Sequence, residues 1–128
     1  MSVGILIVTH GRSSAALVQE AGFVLGQDLE SVYSMEFNHS DNLTTVPQIQ
    51  AAIDQADSGD GVLILTDLMG ASPANLVMEA MEEAHAVMVT GVNLAMLIRA
   101  CNYRNLSLEL LVPKAVEGGK RAVKIFQT

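Results

Sequence analysis

The alternation of short apolar runs with longer amphipathic segments most constrains how this 128-residue chain folds. Residues 4–9 and 62–66 are continuous apolar runs, which are typical of strands covered on both faces. Residues 31–37 and 86–90 indicate two further strands. Strands separated by helices need crossover connections, and these are right-handed. The sequence therefore predicts an open α/β sandwich with a mainly parallel sheet between two helix layers.

The segments between these strands predict the helices and their boundaries. Ser13 or Ser14 is predicted to cap the first helix, which Gly26 closes. Three more helices are predicted: residues 43–56, residues 74–83 and a segment that follows Asn93. The apolar spacing of residues 106–117 indicates a last helix, which Pro113 would kink and which Gly118 and Gly119 would end. Residues 122–126 are expected to form a short final strand.

The composition and charge of the chain exclude several classes of function. The chain is half hydrophobic and has a net charge of −7, with 14 acidic and seven Lys or Arg residues. These values fit a single globular domain with an acidic surface that favours a basic partner, and they argue against nucleic-acid binding. No apolar run approaches the roughly 20 residues of a membrane span, and the N-terminus lacks a secretory signal. A lone Cys101 cannot form an internal disulfide and is expected to be buried, so we expect a cytoplasmic protein.

The tetrapeptide Thr9-His10-Gly11-Arg12 places an imidazole at the carboxyl end of the first strand, just before a helix. A neutral imidazole nitrogen can attack phosphorus, and the resulting phosphohistidine would lie where backbone N–H groups favour an anion. Gly11 permits a close approach of the backbone. The alternative is a histidine that is simply satisfied by hydrogen bonds at a strand end.

A second loop with suitable chemistry, residues 67–75, follows the third strand. A carboxylate at Asp67 is expected to orient the ring of His10, fix its tautomer and stabilise positive charge on the phosphorylated ring. Ser72 is expected to donate a hydrogen bond to a phosphate oxygen. Each residue also has a purely structural interpretation. Asp67 alone fits a residue that closes the loop, and Ser72 alone fits the cap of a helix. The two loops together favour phosphoryl chemistry.

Three segments resemble mannose-type enzyme IIA proteins of the bacterial phosphoenolpyruvate-dependent sugar phosphotransferase system. Residues 7–11, Ile-Val-Thr-His-Gly, resemble the family's phosphorylation segment. Residues 67–75 resemble its Asp-x-x-Gly-small-Ser-Pro-x-Asn loop, and residues 91–97 its Gly-Val-Asn-x-Pro-Met-Leu segment. Ala95 replaces the usual proline, and Asn-His-Ser-Asp at residues 38–41 replaces a common Pro-Gly-Glu type of loop, which affects partner recognition.

The resemblance implies a phosphotransferase that uses a phosphohistidine intermediate. It implies that His10 accepts a phosphoryl group on its tele nitrogen, Nε2, from the histidine phosphocarrier protein HPr, while Asp67 supports the ring. The groups expected to bind the phosphate are Gly11, Gly70, Ala71 and Ser72. No cofactor and no metal are expected. Arg12 either steers phosphate or is merely solvated, His39 either borders the site or is merely exposed, and His85 is expected to be a surface residue.

The resemblance also implies partners and assembly. The phosphoryl group would pass to a IIB component for sugar uptake, and the chain would meet the membrane only indirectly, through a transporter complex. A homodimer is implied, in which residues 122–126 pair with the partner's sheet and so protect an open strand edge. The 128 residues are expected to form one IIA domain with no fused IIB domain.

Several alternative functions remain open at this stage. The chain could be a regulatory IIA whose phosphorylation state controls a target protein, or the phosphoryl-donor subunit of a dihydroxyacetone kinase, against which Gly11 argues mildly. A histidine phosphatase is disfavoured because Thr9 occupies the arginine position of the Arg-His-Gly motif and no second catalytic histidine is evident. A ligand-binding module without phosphoryl chemistry is the remaining alternative.

Overall fold

The computed structural model describes residues 2–29, 31–37, 44–67 and 72–127, with the backbone alone at Ser72 and Pro73. The four strands of these residues form one parallel sheet, in the spatial order β2 (Val32–Phe37), β1 (Gly4–His10), β3 (Val62–Thr66) and β4 (Ala86–Thr90). The predicted α/β class is therefore confirmed. The elements are β1 (Gly4–His10), α1 (Ser13–Leu25), β2 (Val32–Phe37), α2 (Val46–Ala56), β3 (Val62–Thr66), α3 (Ser72–Ala80), β4 (Ala86–Thr90), α4 (Leu94–Tyr103) and α5 (Leu108–Arg121).

The two central strands, β1 and β3, send alternate side chains into two apolar clusters on opposite faces of the sheet. One face packs against α1, α4 and α5, and the other against α2 and α3. This explains the continuous apolar runs, because a strand buried on both faces has no polar side. The strand residues that fill the first cluster are Ile5, Ile7, Leu63 and Leu65, and those that fill the second are Leu6, Val8, Val62 and Ile64, all with no exposed surface.

The direction of winding reverses between β1 and β3. The connection from β1 to β2 passes through α1 on one face, whereas α2 and α3 cover the other face. A reversal of this kind opens a crevice at the carboxyl ends of the two strands where the reversal occurs. His10 is the last residue of β1 and Asp67 is the first residue after β3, so the topology alone brings these two side chains to one crevice.

The start of α1 differs from the prediction. Arg12, not a serine, is the N-cap residue, and Ser13 and Ser14 lie in the first helical turn with hydroxyls that bind other groups. The prediction failed because a serine hydroxyl has several acceptors within reach at a turn, and sequence alone does not show which one it meets. The predicted end of the helix is confirmed, since Gly26 adopts the left-handed conformation with φ +70°.

The boundaries of α2 and α3 also shift. α2 begins at Val46 rather than residue 43, because Thr45 caps it in a reciprocal capping box with Gln48. α3 spans Ser72–Ala80 rather than residues 74–83. Its earlier start places Pro73 in the first turn, where the missing N–H of proline costs nothing.

The last helix, α5, continues through the two glycines that were predicted to end it. A Cβ on Gly118 would lie 2.7 Å from Cβ of Arg99, and one on Gly119 would lie 2.6 Å from Cε of Met96. The glycines therefore let α4 and α5 approach closely. Pro113 lies inside the helix on an exposed face, and burial of the opposite face offsets its missing hydrogen bond.

The residues after α5 form no strand within the single chain. Residues 123–127 leave the helix without sheet pairing, and the side chains of Val123, Ile125 and Phe126 are 78%, 87% and 89% exposed. β4 stands at one end of the strand order. The predicted final strand is thus absent from the isolated chain, and its exchange between two chains stays a prediction.

Two smaller expectations concern the membrane and the cysteine. None of the helices in the described ranges combines the length and the apolarity that a bilayer crossing requires. Cys101 is half-buried rather than fully buried on α4, and burial raises the pKa of its thiol against the opposing effect of Arg104.

Candidate functional site

The centre of the candidate site is a histidine held by one carboxylate at two places. Nδ1 of His10 lies 3.0 Å from Oδ2 and 3.2 Å from Oδ1 of Asp67. The backbone N–H of His10 donates a second hydrogen bond to Oδ2, at 3.2 Å. The two side chains are 30% and 28% exposed, so the pair is half-buried yet reachable from solvent. The contact that the sequence predicted is present, whereas the backbone bond was not foreseen.

The charge of Asp67 determines which ring nitrogen of His10 carries the lone pair. Partial burial raises the pKa of Asp67, but hydrogen bonds from the ring and backbone of His10, with the charge of that ring, outweigh this effect. The pKa of Asp67 therefore lies below its ordinary value. An ionised carboxylate only accepts hydrogen bonds, so Nδ1 of His10 must carry a hydrogen. In the neutral ring the lone pair then resides on Nε2.

β2 and the turn after β1 form the surroundings of the imidazole. Phe37 lies opposite His10 in the strand register, and the two rings meet edge to face with centroids 6.2 Å apart. Gly11 adopts φ +57°, which glycine does at little cost, and its N–H donates to the carbonyl of Phe37 at 3.3 Å. Apart from its two chain neighbours, none of the described residues places an atom within 4 Å of where a Cβ of Gly11 would be.

A hydroxyl on α1 also contacts the histidine, a feature that the sequence analysis missed. Oγ of Ser13 lies 2.8 Å from the carbonyl oxygen of His10 and 2.6 Å from Oγ1 of Thr9. Thr9 itself is fully buried. A serine three residues after the histidine, at a strand-to-helix turn, was the available signal, and it was interpreted as a helix cap instead.

The structure describes only some of the predicted phosphate-binding residues. Gly70 and Ala71 lie outside the described residues, and the side chain of Ser72 is likewise not described. The backbone of Ser72 begins α3, five residues after Asp67, at the carboxyl end of the sheet. The N-terminus of a nine-residue helix presents N–H groups that favour an anion. The phosphate-binding roles of these residues remain predictions.

The other residues considered from the sequence lie at or away from this crevice. Arg12 is exposed at the N-cap of α1, two residues from His10. His39 lies outside the described residues. His85 precedes β4 at the amino ends of the strands, where its Nε2 lies 3.3 Å from Oε1 of Glu109, so it is remote from the crevice.

The third segment that resembles the enzyme IIA family, residues 91–97, links secondary-structure elements beside the site. The N–H of Val92 donates to the carbonyl of Thr66 at 2.9 Å. Asn93 caps α4 by accepting the N–H of Met96, and its Nδ2 donates to the carbonyl of Gly119 at 3.1 Å. The segment therefore joins the end of β3 to both C-terminal helices.

Comparison with known proteins identifies the family. Residues 4–115 match the sequence profile of the PTS system fructose IIA component, the EIIA-man family. The chain therefore belongs to this family of phosphotransferase-system IIA components. The resemblance noted in the sequence is thus confirmed, and the class of protein, a phosphotransferase by family, follows from it.

Individual relatives agree with this assignment. The chain is 33% identical over 131 residues to the PTS system mannose-specific EIIAB component of Escherichia coli K12, a match that covers 99% of this chain and 40% of the relative. The chain thus spans about 40% of the length of the curated relatives it matches. The solved mannose/sorbose-specific IIA subunit from Enterococcus faecalis superimposes with a TM-score of 0.86 at 25% identity, covering 100% and 97% of the two chains. A phosphotransferase-system EIIA from Streptococcus agalactiae shares the fold, with a TM-score of 0.81 at 22% identity and 96% coverage of each chain.

Proposed function

We propose that this chain is a phosphocarrier that accepts a phosphoryl group on Nε2 of His10 from HPr and passes it to a IIB component for sugar uptake. The observation that supports this best is that Asp67 accepts hydrogen bonds from both the ring and the backbone N–H of His10. It leaves Nε2 as the nucleophilic nitrogen of a ring whose direction is fixed. The proposal includes the cytoplasmic location expected from the sequence.

The transfer itself exchanges one nitrogen–phosphorus bond for another. The lone pair on Nε2 of His10 attacks phosphorus while the bond from phosphorus to the donor's ring nitrogen breaks, and that nitrogen keeps the electron pair. Nδ1 keeps its hydrogen, so the phosphorylated ring carries positive charge next to the carboxylate of Asp67. Because such a reaction needs in-line alignment and little covalent help, positioning accounts for most of the rate.

The arriving phosphoryl group brings negative charge to the crevice. We propose that backbone N–H groups of Gly70, Ala71 and Ser72, with the Ser72 hydroxyl, hold its oxygens. Gly11, whose own N–H donates to the carbonyl of Phe37, would let the backbone come close to them. The start of α3 at Ser72 supports this assignment, because the dipole of that helix favours an anion at its N-terminus. The turn at Gly11 also supports it because, apart from the two chain neighbours, no atom of the described residues lies within 4 Å of where a Cβ would be.

Incubation with phosphoenolpyruvate, enzyme I and HPr tests the proposal. Intact mass spectrometry should show one added, acid-labile phosphoryl group, and His10→Ala should show none. A chain that gains no phosphoryl group, under conditions that fully phosphorylate a known IIA protein, would overturn the proposal and favour a ligand-binding role.

A second experiment addresses the acceptor. The phosphorylated chain should lose its phosphoryl group within seconds to minutes when it is mixed with the isolated IIB portion of a mannose-specific EIIAB protein. Retention of the phosphoryl group with all IIB proteins tried, together with a partner that binds one phosphorylation form alone, would favour the regulatory alternative. Transfer to a dihydroxyacetone kinase subunit would favour the third possibility.

We further propose that the working form is a homodimer. The exposed apolar side chains of Val123, Ile125 and Phe126 and the position of β4 at the end of the strand order support pairing of the tail of one chain with β4 of another. Sedimentation velocity should give a dimer for the full chain and a monomer after deletion of residues 122–128. A full chain that sediments as a monomer at micromolar concentration would contradict this assembly.

A further inference from the structure

The peptide group that joins His10 to Gly11 has a glycine on one side, which leaves its orientation less constrained. Gly11 adopts φ +57°, and glycine leaves this conformation at little cost because it has no Cβ. Steric constraints therefore do not fix the peptide plane directly after His10. Hydrogen bonds to its two polar atoms therefore help to fix it.

Both polar atoms of this peptide group are in fact bonded. The N–H of Gly11 donates to the carbonyl of Phe37 at 3.3 Å, which is a long bond. The carbonyl of His10 accepts the shorter bond, 2.8 Å, from the hydroxyl of Ser13. The peptide group on the other side of His10 is held separately, by the N–H bond to Asp67. Of these three backbone hydrogen bonds between described residues, the one from Ser13 is the shortest.

The hydroxyl of Ser13 is itself oriented by Thr9. A carbonyl can only accept, and a serine hydroxyl has one hydrogen, so both contacts of Ser13 are satisfied when Ser13 donates to the His10 carbonyl and Thr9 donates to Ser13. The 2.6 Å separation of the two hydroxyl oxygens fits such a chain. Thr9 is fully buried, so solvent does not compete for its hydroxyl.

From this geometry we infer that Ser13 is a positioning residue for phosphoryl transfer, which acts through the backbone of His10 and not on the phosphoryl group itself. The inference rests on the proposed function and adds to it a residue outside the three segments that carry the family resemblance. Loss of the Ser13 hydroxyl leaves the carbonyl of His10 without this bond, while the longer Gly11 N–H bond to Phe37 and the bonds to Asp67 remain. The backbone of His10 is then held less firmly, and the imidazole spends less time in line with the donor. A misplacement of about 1 Å at a reacting centre costs up to about 100-fold in rate.

The next residue of the chain supplies a matched control. Ser14 lies in the same helical turn, is fully buried, and donates to the carbonyl of Met35 in β2 at 3.2 Å. Ser14→Ala therefore removes a hydroxyl and a strand contact from the same turn, without removing a bond to His10. Ser13→Thr keeps the hydroxyl at the position that Ser13→Ala empties.

The test is single-turnover transfer from phosphorylated HPr, measured by rapid quench over a range of HPr concentrations. Ser13→Ala should lower the maximal rate constant about 10-fold with the half-saturating HPr concentration changed less than about 2-fold. Ser13→Thr and Ser14→Ala should both transfer within about 2-fold of wild type. In the unphosphorylated proteins, hydrogen exchange of the Gly11 N–H should be faster in Ser13→Ala but not in Ser14→Ala.

Three results would overturn the positioning role: a wild-type rate in Ser13→Ala, an equal loss in Ser14→Ala, or no recovery in Ser13→Thr. Failure of the wild-type chain to accept a phosphoryl group is a different result. It would overturn the proposed function itself, and the positioning role with it.

Discussion

Among the residues that the structure describes, two histidines pair with a carboxylate, one at each end of the sheet. At the carboxyl ends of the strands, His10 and Asp67 lie 3.0 Å apart and are less than one-third exposed. At the amino ends, His85 and Glu109 lie 3.3 Å apart, and their side chains are 56% and 72% exposed. The same two functional groups thus form one half-buried pair and one exposed pair.

The difference lies in what holds each pair and not in the acidity of the carboxylate. The pKa of Glu109 is also lowered, first by its own backbone N–H and then by His85. Asp67, however, also binds the backbone of His10, and the two residues lie where the winding of the sheet reverses. An exposed pair such as His85 and Glu109 is free to separate, because solvent screens it and competes for its hydrogen bonds. A histidine–carboxylate contact therefore indicates a site only when the fold fixes both partners.

The largest difference is expected when each histidine is replaced. His10→Gln should abolish phosphorylation by phosphorylated HPr, whereas His85→Gln should leave its rate within about 2-fold of wild type, because His85 lies at the far end of the sheet. Intact mass spectrometry of both variants makes the comparison. Phosphorylation that disappears in His85→Gln would mean that the two pairs are not functionally distinct.

Replacement of the carboxylates should give the next largest effect. Asp67→Asn should lower the transfer rate about 100-fold, because an amide neither fixes the tautomer of His10 nor offsets the charge of the phosphorylated ring. Glu109→Gln is the matched control at the exposed pair, and its rate should stay within about 2-fold of wild type. Rapid-quench kinetics measure the transfer rates of both variants. Equal rates in wild type and Asp67→Asn would show that Asp67 does not assist the transfer.

The stability of the protein should also depend on a buried hydroxyl next to Asp67. The hydroxyl of Thr66, the residue before Asp67, is buried and finds no hydrogen-bond partner in the part of the chain that the structure describes. Thr66→Val should therefore raise the free energy of unfolding by about 1 kcal/mol, because it removes an unpaired polar group at nearly constant volume. Urea titration measures this change.

Ile64→Val, two residues earlier on the same strand and face, is the control for a change of packing alone. It should lower the free energy of unfolding by about 1 kcal/mol. A Thr66→Val protein that is also destabilised would show that the hydroxyl has a hydrogen-bond partner. An unpaired hydroxyl would then not lower the stability of the sheet next to Asp67.

The smallest expected effect is the pH dependence of stability. The pKa of folded Asp67 lies below its ordinary value of 3.8, so the unfolded chain takes up the proton first as the pH falls. The stabilisation from Asp67 is therefore present above about pH 4 and is lost as the pH falls from there toward the folded pKa. Wild type should lose more unfolding free energy between pH 6 and pH 3 than Asp67→Asn does. Glu20→Gln, on the exposed face of α1, should behave as wild type does, and identical pH profiles for all three proteins would contradict the pairing.

The central strands were predictable from sequence because burial on both faces leaves an unmistakable pattern. Val62–Thr66 matches the predicted range, and β1 differs from its prediction by one residue, His10. Ala86–Thr90 also matches its predicted range, although it is an edge strand and only partly buried. The pairing of His10 with Asp67 was predictable for a related reason, since the carboxyl ends of neighbouring parallel strands meet at one edge.

The failures share a physical cause as well, which is the dependence of local signals on tertiary partners. Gly118 and Gly119 have the signature of a helix end, yet their role is to make room for Arg99 and Met96 of the neighbouring helix. Ser13 has the signature of a cap, yet its hydroxyl meets the carbonyl of His10. In both cases the partner that decides the outcome lies outside the residue pattern from which the prediction was made.

Asp67 lies within hydrogen-bond distance of Nδ1 of His10, and we propose that it thereby directs the phosphoryl group to Nε2. Long-range proton–nitrogen NMR correlation on the phosphorylated, nitrogen-15-labelled protein tests it most directly, because the two ring nitrogens shift differently when one bears phosphorus. We expect a single phosphohistidine at residue 10 with phosphorus on Nε2 and hydrogen on Nδ1. Phosphorus on Nδ1, or on His85, would contradict it.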